Sequence, residues 1–117
     1  MENINKYNLT NHESIRLPKI LFDSPIYKEL SVNAKVLYGI LYTELIELAI
    51  EKGISDITDE NGDFYLTYPH NNLAKYMNVS RNTITRVKQE LEYIGLLEIV
   101  KQKNKLDIFY LTLLEEF

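Results

Sequence analysis

The sequence predicts a mainly α-helical fold with a small antiparallel β-hairpin or sheet. The order is helix, strand, helix, helix, strand, turn, strand, which is that of a winged helix-turn-helix. Three observations predict it. A long apolar-rich stretch between Ser31 and Gly53 is bracketed by helix start and stop residues. The segment MNVSRNTITRVKQ, Met77 to Gln89, joins two helical patterns through a tight corner. Behind it, two apolar runs flank Lys101-Gln102-Lys103-Asn104-Lys105, as a hairpin requires.

Taken in order, residues 1–13 read as a flexible lead-in and 14–117 as one folded unit, the amount of chain expected of a single domain. Arg16-Leu17 should be extended, because a residue before proline is pushed out of the helical region. Pro18 and Pro25 suit the first turn of short helices, with Ser24 capping the second. Ser31 caps the longest helix, which runs to about Lys52 and stops at Gly53. Ala34, Leu37, Leu41, Leu45 and Leu48 form one stripe, and Val36, Ile40, Tyr42, Ile46 and Ile50 widen it. That surplus suits either a central core helix or a face that meets a second subunit. An acidic turn from Ile54 to Gly62 leads into a strand over Phe64 to Tyr68, ended by Pro69. Helices follow over Asn71 to Met77 and Ser80 to Ile94, the latter closed by Gly95. Leu96 to Val100 and Leu106 to Leu113 make the hairpin.

At 45% hydrophobic residues the chain can bury a core and lacks the signature of disorder. It has no cysteine, so disulfides and thiolate metal sites are excluded, in keeping with a cytoplasmic setting. No apolar run is long enough to span a bilayer, and the N-terminus lacks a signal peptide's apolar core. The net charge of −4 hides an asymmetry. Residues 40–70 hold seven acids against Lys52, a balance of −6. Residues 71–105 hold seven bases against Glu90, Glu92 and Glu98, a balance of +4. A polyanion responds to the local field, not to the total.

The corner is specific. Ala74 is small where two helices approach closely. Asn78 tolerates the left-handed backbone the turn needs, and Val79 plugs it. Ser80 caps the second helix. Ile84, Val87, Leu91 and Ile94 make its buried stripe. At 100° per residue, Asn82, Thr85, Arg86 and Gln89 fall opposite that stripe, with Arg81 and Tyr93 at the edge. Arg81, Asn82, Thr85, Arg86 and Gln89 are therefore candidate base readers. Arg pairs with guanine, Asn and Gln with adenine, and Thr packs on the thymine methyl. The candidates for DNA-backbone contacts are Asn71, Asn72 and Lys75 on the first helix, Ser80, Thr83 and Lys88 on the second, and Lys101, Lys103 and Lys105 on the wing. A solvated polar face and a charged hairpin tip are the blander readings of the same residues.

No enzyme, cofactor or metal is expected. Asp59-Glu60-Asn61-Gly62-Asp63 faintly resembles a calcium loop. With Gly62 at the loop's glycine, however, the end ligands would be Ile57 and Tyr68, and neither can serve. The only histidines are His12 and His70, far apart in the chain, and the four glycines do not cluster into a phosphate cradle.

LPKILF, YKELSVNAKVLYGILY, DENGDFYLTY and a helix-turn-helix ending in QELEYIGLLE resemble the N-terminal domain of RepA_N-type plasmid replication initiators of Gram-positive bacteria. The resemblance covers about residues 15–100. One departure is Tyr42-Thr43-Glu44, where many members have a basic residue after the Leu-Tyr-Gly run. The resemblance implies a winged helix that binds double-stranded DNA at repeats in a plasmid origin. It also implies a homodimer, and a further C-terminal domain that engages host replication machinery, so the chain reads as an N-terminal domain excised from a longer initiator. The rival readings are a winged-helix transcriptional regulator and a protein-interaction winged helix with little DNA binding.

Overall fold

The computed structural model describes the backbone of residues 1–67 and 70–115, and the side chains of all of these except His70 and Asn71. The elements follow the expected order: α1 (Ile20–Asp23), α2 (Val32–Lys52), β1 (Leu66–Thr67), α3 (His70–Met77), α4 (Arg81–Tyr93), β2 (Leu97–Val100) and β3 (Ile108–Leu111). Short 3-10 turns lie at Pro25–Tyr27 and Ile54–Ile57. The three strands pair antiparallel in the order β1-β3-β2. This is a winged helix, with α3–α4 as the helix-turn-helix and the β2–β3 hairpin as the wing.

Local signals account for most boundaries. The Ser24 hydroxyl accepts from the Ile26 N–H ahead of the Pro25 turn. The Ser31 hydroxyl accepts from Ala34 N–H at the start of α2, and Gly53 leaves the helix at φ +86°. Ala34, Leu37 and Leu41 are fully buried, and Tyr38 and Ile40 bring a second side of α2 into the same core. The N-terminal half of α2 is thus a central core helix. The C-terminal half emerges, with Leu45 and Leu48 partly buried and Ile50 exposed. The Tyr38 hydroxyl donates to the Thr112 carbonyl at 2.9 Å, and burial pushes its pKa up to about 12.

Gly39 sits in the interior of α2, where alanine is normally preferred by about 1 kcal/mol. Space explains the glycine. A Cβ there would lie 2.8 Å from the Arg16 carbonyl oxygen and collide with the Leu17 side chain. The extended segment before Pro18 runs along this face, and Arg16 N–H donates to Thr43 Oγ1 at 2.7 Å. Thr43 thus holds the chain's own backbone. Gly39→Val should lift that segment off α2 and destabilise the fold by about 1–3 kcal/mol in urea denaturation. An unchanged midpoint would show that the segment does not pack there.

The acidic turn is self-contained. Asp59 Oδ1 accepts from the backbone N–H groups of Asn61 and Asp63, both at 2.9 Å, and Oδ2 accepts from the Tyr110 hydroxyl at 2.9 Å. These bonds, Asp63's foremost, hold the Asp59 carboxyl below its ordinary 3.8. A lowered folded-state pKa means stability that is present above 3.8 and lost as pH falls through the folded value. Asp59→Asn should therefore be less stable than wild type at neutral pH, the two converging as the pH falls through the carboxylate range. A gap that persists in acid would assign the effect to shape instead of charge. Among the described residues no group of side chains is arranged to hold a metal ion.

The strands are shorter than expected, for identifiable reasons. Phe64 bridges back to Thr58 and Tyr65 N–H bonds to the Ile57 carbonyl, so among the described residues of this run only Leu66 and Thr67 join the sheet. The expected continuation through Tyr68 and its end at Pro69 lie outside the described residues. Leu96 belongs to the helix stop: its N–H bonds to the Leu91 carbonyl while Gly95, at φ +84°, bonds to Glu92. The wing loop is wider than 101–105, because Gln102 Nε2 donates to the Leu106 carbonyl and withholds it from the ladder. Phe109 faces inward between Leu66 and Ile99 and is 1% exposed.

Candidate nucleic-acid interface

The corner between α3 and α4 is built as its residues dictate. Asn78 takes φ +57°, its N–H bonds to the Lys75 carbonyl, and Val79 N–H bonds to the Ala74 carbonyl. Ala74 and Leu73 are buried against α4, and Val79 packs at the core's edge. The Ser80 hydroxyl accepts from Thr83 N–H at 3.0 Å and starts α4. Ile84, Val87 and Leu91 are each fully buried. Ile94, the expected fourth member of the stripe, is the C-terminal cap and is partly buried.

With that stripe inward, Arg81, Asn82, Thr85, Arg86 and Gln89 are all exposed. Thr85 Oγ1 donates to the Arg81 carbonyl at 3.1 Å, so its hydroxyl is tied to the helix's own backbone. Tyr93 is 95% exposed and extends the same face toward the helix end. Glu92 is the first carboxylate on it. Asn72 and Lys75 on α3 are exposed, and the side chain of Asn71 lies outside the described residues. Lys101, Lys103 and Lys105 are exposed on the wing loop, whose tip is shaped by Asn104 at φ +60°.

The remaining backbone candidates differ from expectation. Thr83 is half-buried, and its hydroxyl lies 3.0 Å from that of Ser80, so both serve the helix start. Lys88 must be corrected outright. It is 8% exposed, and its Nζ lies 4.9 Å from the centroid of the Phe109 ring, a cation–π contact. Burial pulls its pKa down, opposed by the nearby Asp107 carboxylate. Lys88 stands only about 70° from the centre of the buried stripe at 100° per residue. The hairpin packed on that side covers it, so it is withdrawn from the set of phosphate contacts.

One polar contact on α4 had not been anticipated. Glu90 accepts from both the backbone N–H and the hydroxyl of Ser31, at 2.9 and 2.7 Å. Its partner is 59 residues away, and no local pattern connects the two.

The resulting surface is a short, carboxylate-poor helix face behind a rigid corner, with three lysines on a neighbouring loop. Such a face can place amide, guanidinium and methyl groups against base edges while cations neutralise phosphates. No described helix is long and apolar enough to cross a membrane.

Comparison with known proteins agrees with this geometry. The family model for the N-terminus of replication initiator protein A matches residues 13–116. Five solved chains are similar, three of them as follows. The N-terminal domain of a DNA-binding protein is 31% identical at a TM-score of 0.75, covering 90% of this chain and 78% of the other. An MDR initiator is 31% identical at 0.73, covering 90% and 80%. A Rep–DNA complex is 30% identical at 0.71, covering 90% and 78%. Among curated proteins no sequence matches.

Proposed function

The chain belongs to the family of replication initiator protein A N-termini, and from that premise we propose that it recognises repeats in a plasmid origin as double-stranded DNA. In this reading α4 enters the major groove with its N-terminal half foremost. Arg81, Asn82, Thr85, Arg86 and Gln89 read base edges. Asn71, Asn72, Lys75, the helix start at Ser80 and Thr83, and the wing lysines hold the phosphates. The observation that carries the reading is the exposed α4 face, free of carboxylate until Glu92, on a helix whose opposite side is fully buried. The similar Rep–DNA complex supports the choice of DNA as partner.

The reading gives the domain no catalytic step and places it in the cytoplasm with its plasmid. Residues 14–117 act as the binding unit and 1–13 as a lead-in. A second copy would span adjacent repeats, and the exposed Ile50 near the end of α2 and Ile54 in the turn after it are apolar surface available to it. Contact with host replication machinery belongs to a further domain of the initiator.

The test is binding to duplexes carrying the replicon's own repeats, and to scrambled duplexes, across a range of salt. Selective binding with a steep salt slope is expected. No retention of any duplex at physiological salt would favour a protein-interaction domain. Footprints confined to promoters would favour a regulator. Lys103→Ala should weaken all duplexes alike and reduce the salt slope by about 1. A loss confined to the cognate repeat would contradict a phosphate role.

A further inference from the structure

Two charged residues of α4 that turn away from its exposed face, Glu90 and Lys88, flank the apolar stripe on opposite sides. On one side Glu90 holds Ser31, through the backbone N–H to Oε1 and the hydroxyl to Oε2. The Ser31 hydroxyl also accepts from Ala34 N–H at 3.2 Å, so its single proton is committed to Glu90. On the other side Lys88 stands over the Phe109 ring of β3. Positions two apart on a helix differ by 200°, so these contacts pull on opposite flanks. One reaches back to the start of α2 and the other to the wing.

An apolar stripe by itself is a poor angular reference, because hydrophobic attraction has no direction. Hydrogen bonds weaken steeply with angle and distance. The difference matters for recognition. A roll of about 20° moves a side-chain tip roughly 6 Å from the helix axis by about 2 Å. That displacement exceeds the whole hydrogen-bonding window of about 2.7–3.2 Å.

We propose that Glu90 and Lys88 are positioning residues that set the roll of α4 about its axis, and so decide which outward side chains meet the bases. The inference rests on the reading of α4 as the recognition helix. It assigns sequence discrimination partly to residues that touch no DNA. Loss of either anchor would leave cation attraction to phosphate in place and blur the register of Asn82, Thr85, Arg86 and Gln89.

Ser31→Asp tests it from α2, without touching α4. Aspartate still caps the helix, since its carboxylate accepts the same N–H, but it faces the Glu90 carboxylate and opens that clasp. The readout is the ratio of affinities for an origin-repeat duplex and a scrambled duplex of equal length at one salt concentration. Folding is checked by circular dichroism. Ser31→Asp should lower that ratio about tenfold while scrambled-duplex affinity stays within about twofold, one good base contact being lost or misaligned. Ser31→Thr keeps the hydroxyl and should keep the wild-type ratio. Lys88→Met keeps the length and removes the cation, and should also lower the ratio; it carries the test should Ser31→Asp fail to fold. Folded variants with the wild-type ratio, or with both affinities reduced by one common factor, would overturn the proposal. Wild-type protein that fails to discriminate would overturn the DNA reading itself, a different and separable outcome.

Discussion

Arg86→Ala is expected to lower affinity for the cognate repeat by about 1–3 kcal/mol, roughly 5- to 150-fold, and to relax the preference at one base position. Arg86 lies on the exposed side of α4, next to the fully buried Val87 and one turn in from the corner, so it points away from the core. A guanidinium there can meet the two acceptors of a guanine edge, and alanine leaves those acceptors without donors. Substitution also removes one positive charge, which weakens all duplexes slightly. The diagnostic is therefore the extra loss on cognate over scrambled duplex, measured by titration at fixed salt. A loss of the same factor on both would reduce Arg86 to a phosphate contact. An unchanged affinity would sink the assignment of this face.

Phe109→Ala is expected to remove about 3–5 kcal/mol of folding stability, the largest effect of a single truncation considered. Phe109 is 1% exposed, and it joins three parts of the molecule: Leu66 of β1, Ile99 of β2, and the Lys88 amine of α4 above its ring. Truncation opens a cavity at the root of the wing and leaves a buried cation over an empty site. A domain of this size has about 5–15 kcal/mol in total, so the variant should unfold at much lower urea. Phe109→Leu keeps most of the volume and should lose far less. A loss below about 1 kcal/mol for the alanine variant would show that the sheet is not anchored through this ring.

Much of the fold was legible because helix ends are decided by near neighbours. Ser24, Ser31 and Ser80 accept the backbone protons expected of caps, and Asn78, Gly53 and Gly95 take the positive φ their helix stops require. The outward face of α4 was legible for a related reason. Helical period places Asn82, Thr85, Arg86 and Gln89 opposite Ile84, Val87 and Leu91 whatever else the chain does. Strand limits were less legible, since they depend on where a distant partner stops. Gln102 takes the Leu106 carbonyl, and Thr58 takes Phe64.

The flanks of α4 mark the boundary between the two kinds of information. A lysine some 70° from a buried stripe can snorkel to a phosphate or lie down on a ring, at nearly the same local energy. Only the packing of β3 beneath it places Lys88 on Phe109. Glu90 and Ser31 are 59 residues apart, and nothing local to either points to the other. Likewise nothing local to Gly39 points to the Arg16–Leu17 segment that lies across it. Caps, turns and the outward face of α4 are short-range free energies, and the sequence alone determined them. The roll of the recognition helix, the burial of its lysine and the close approach at Gly39 depend on which distant surfaces meet, and only the tertiary structure decided those.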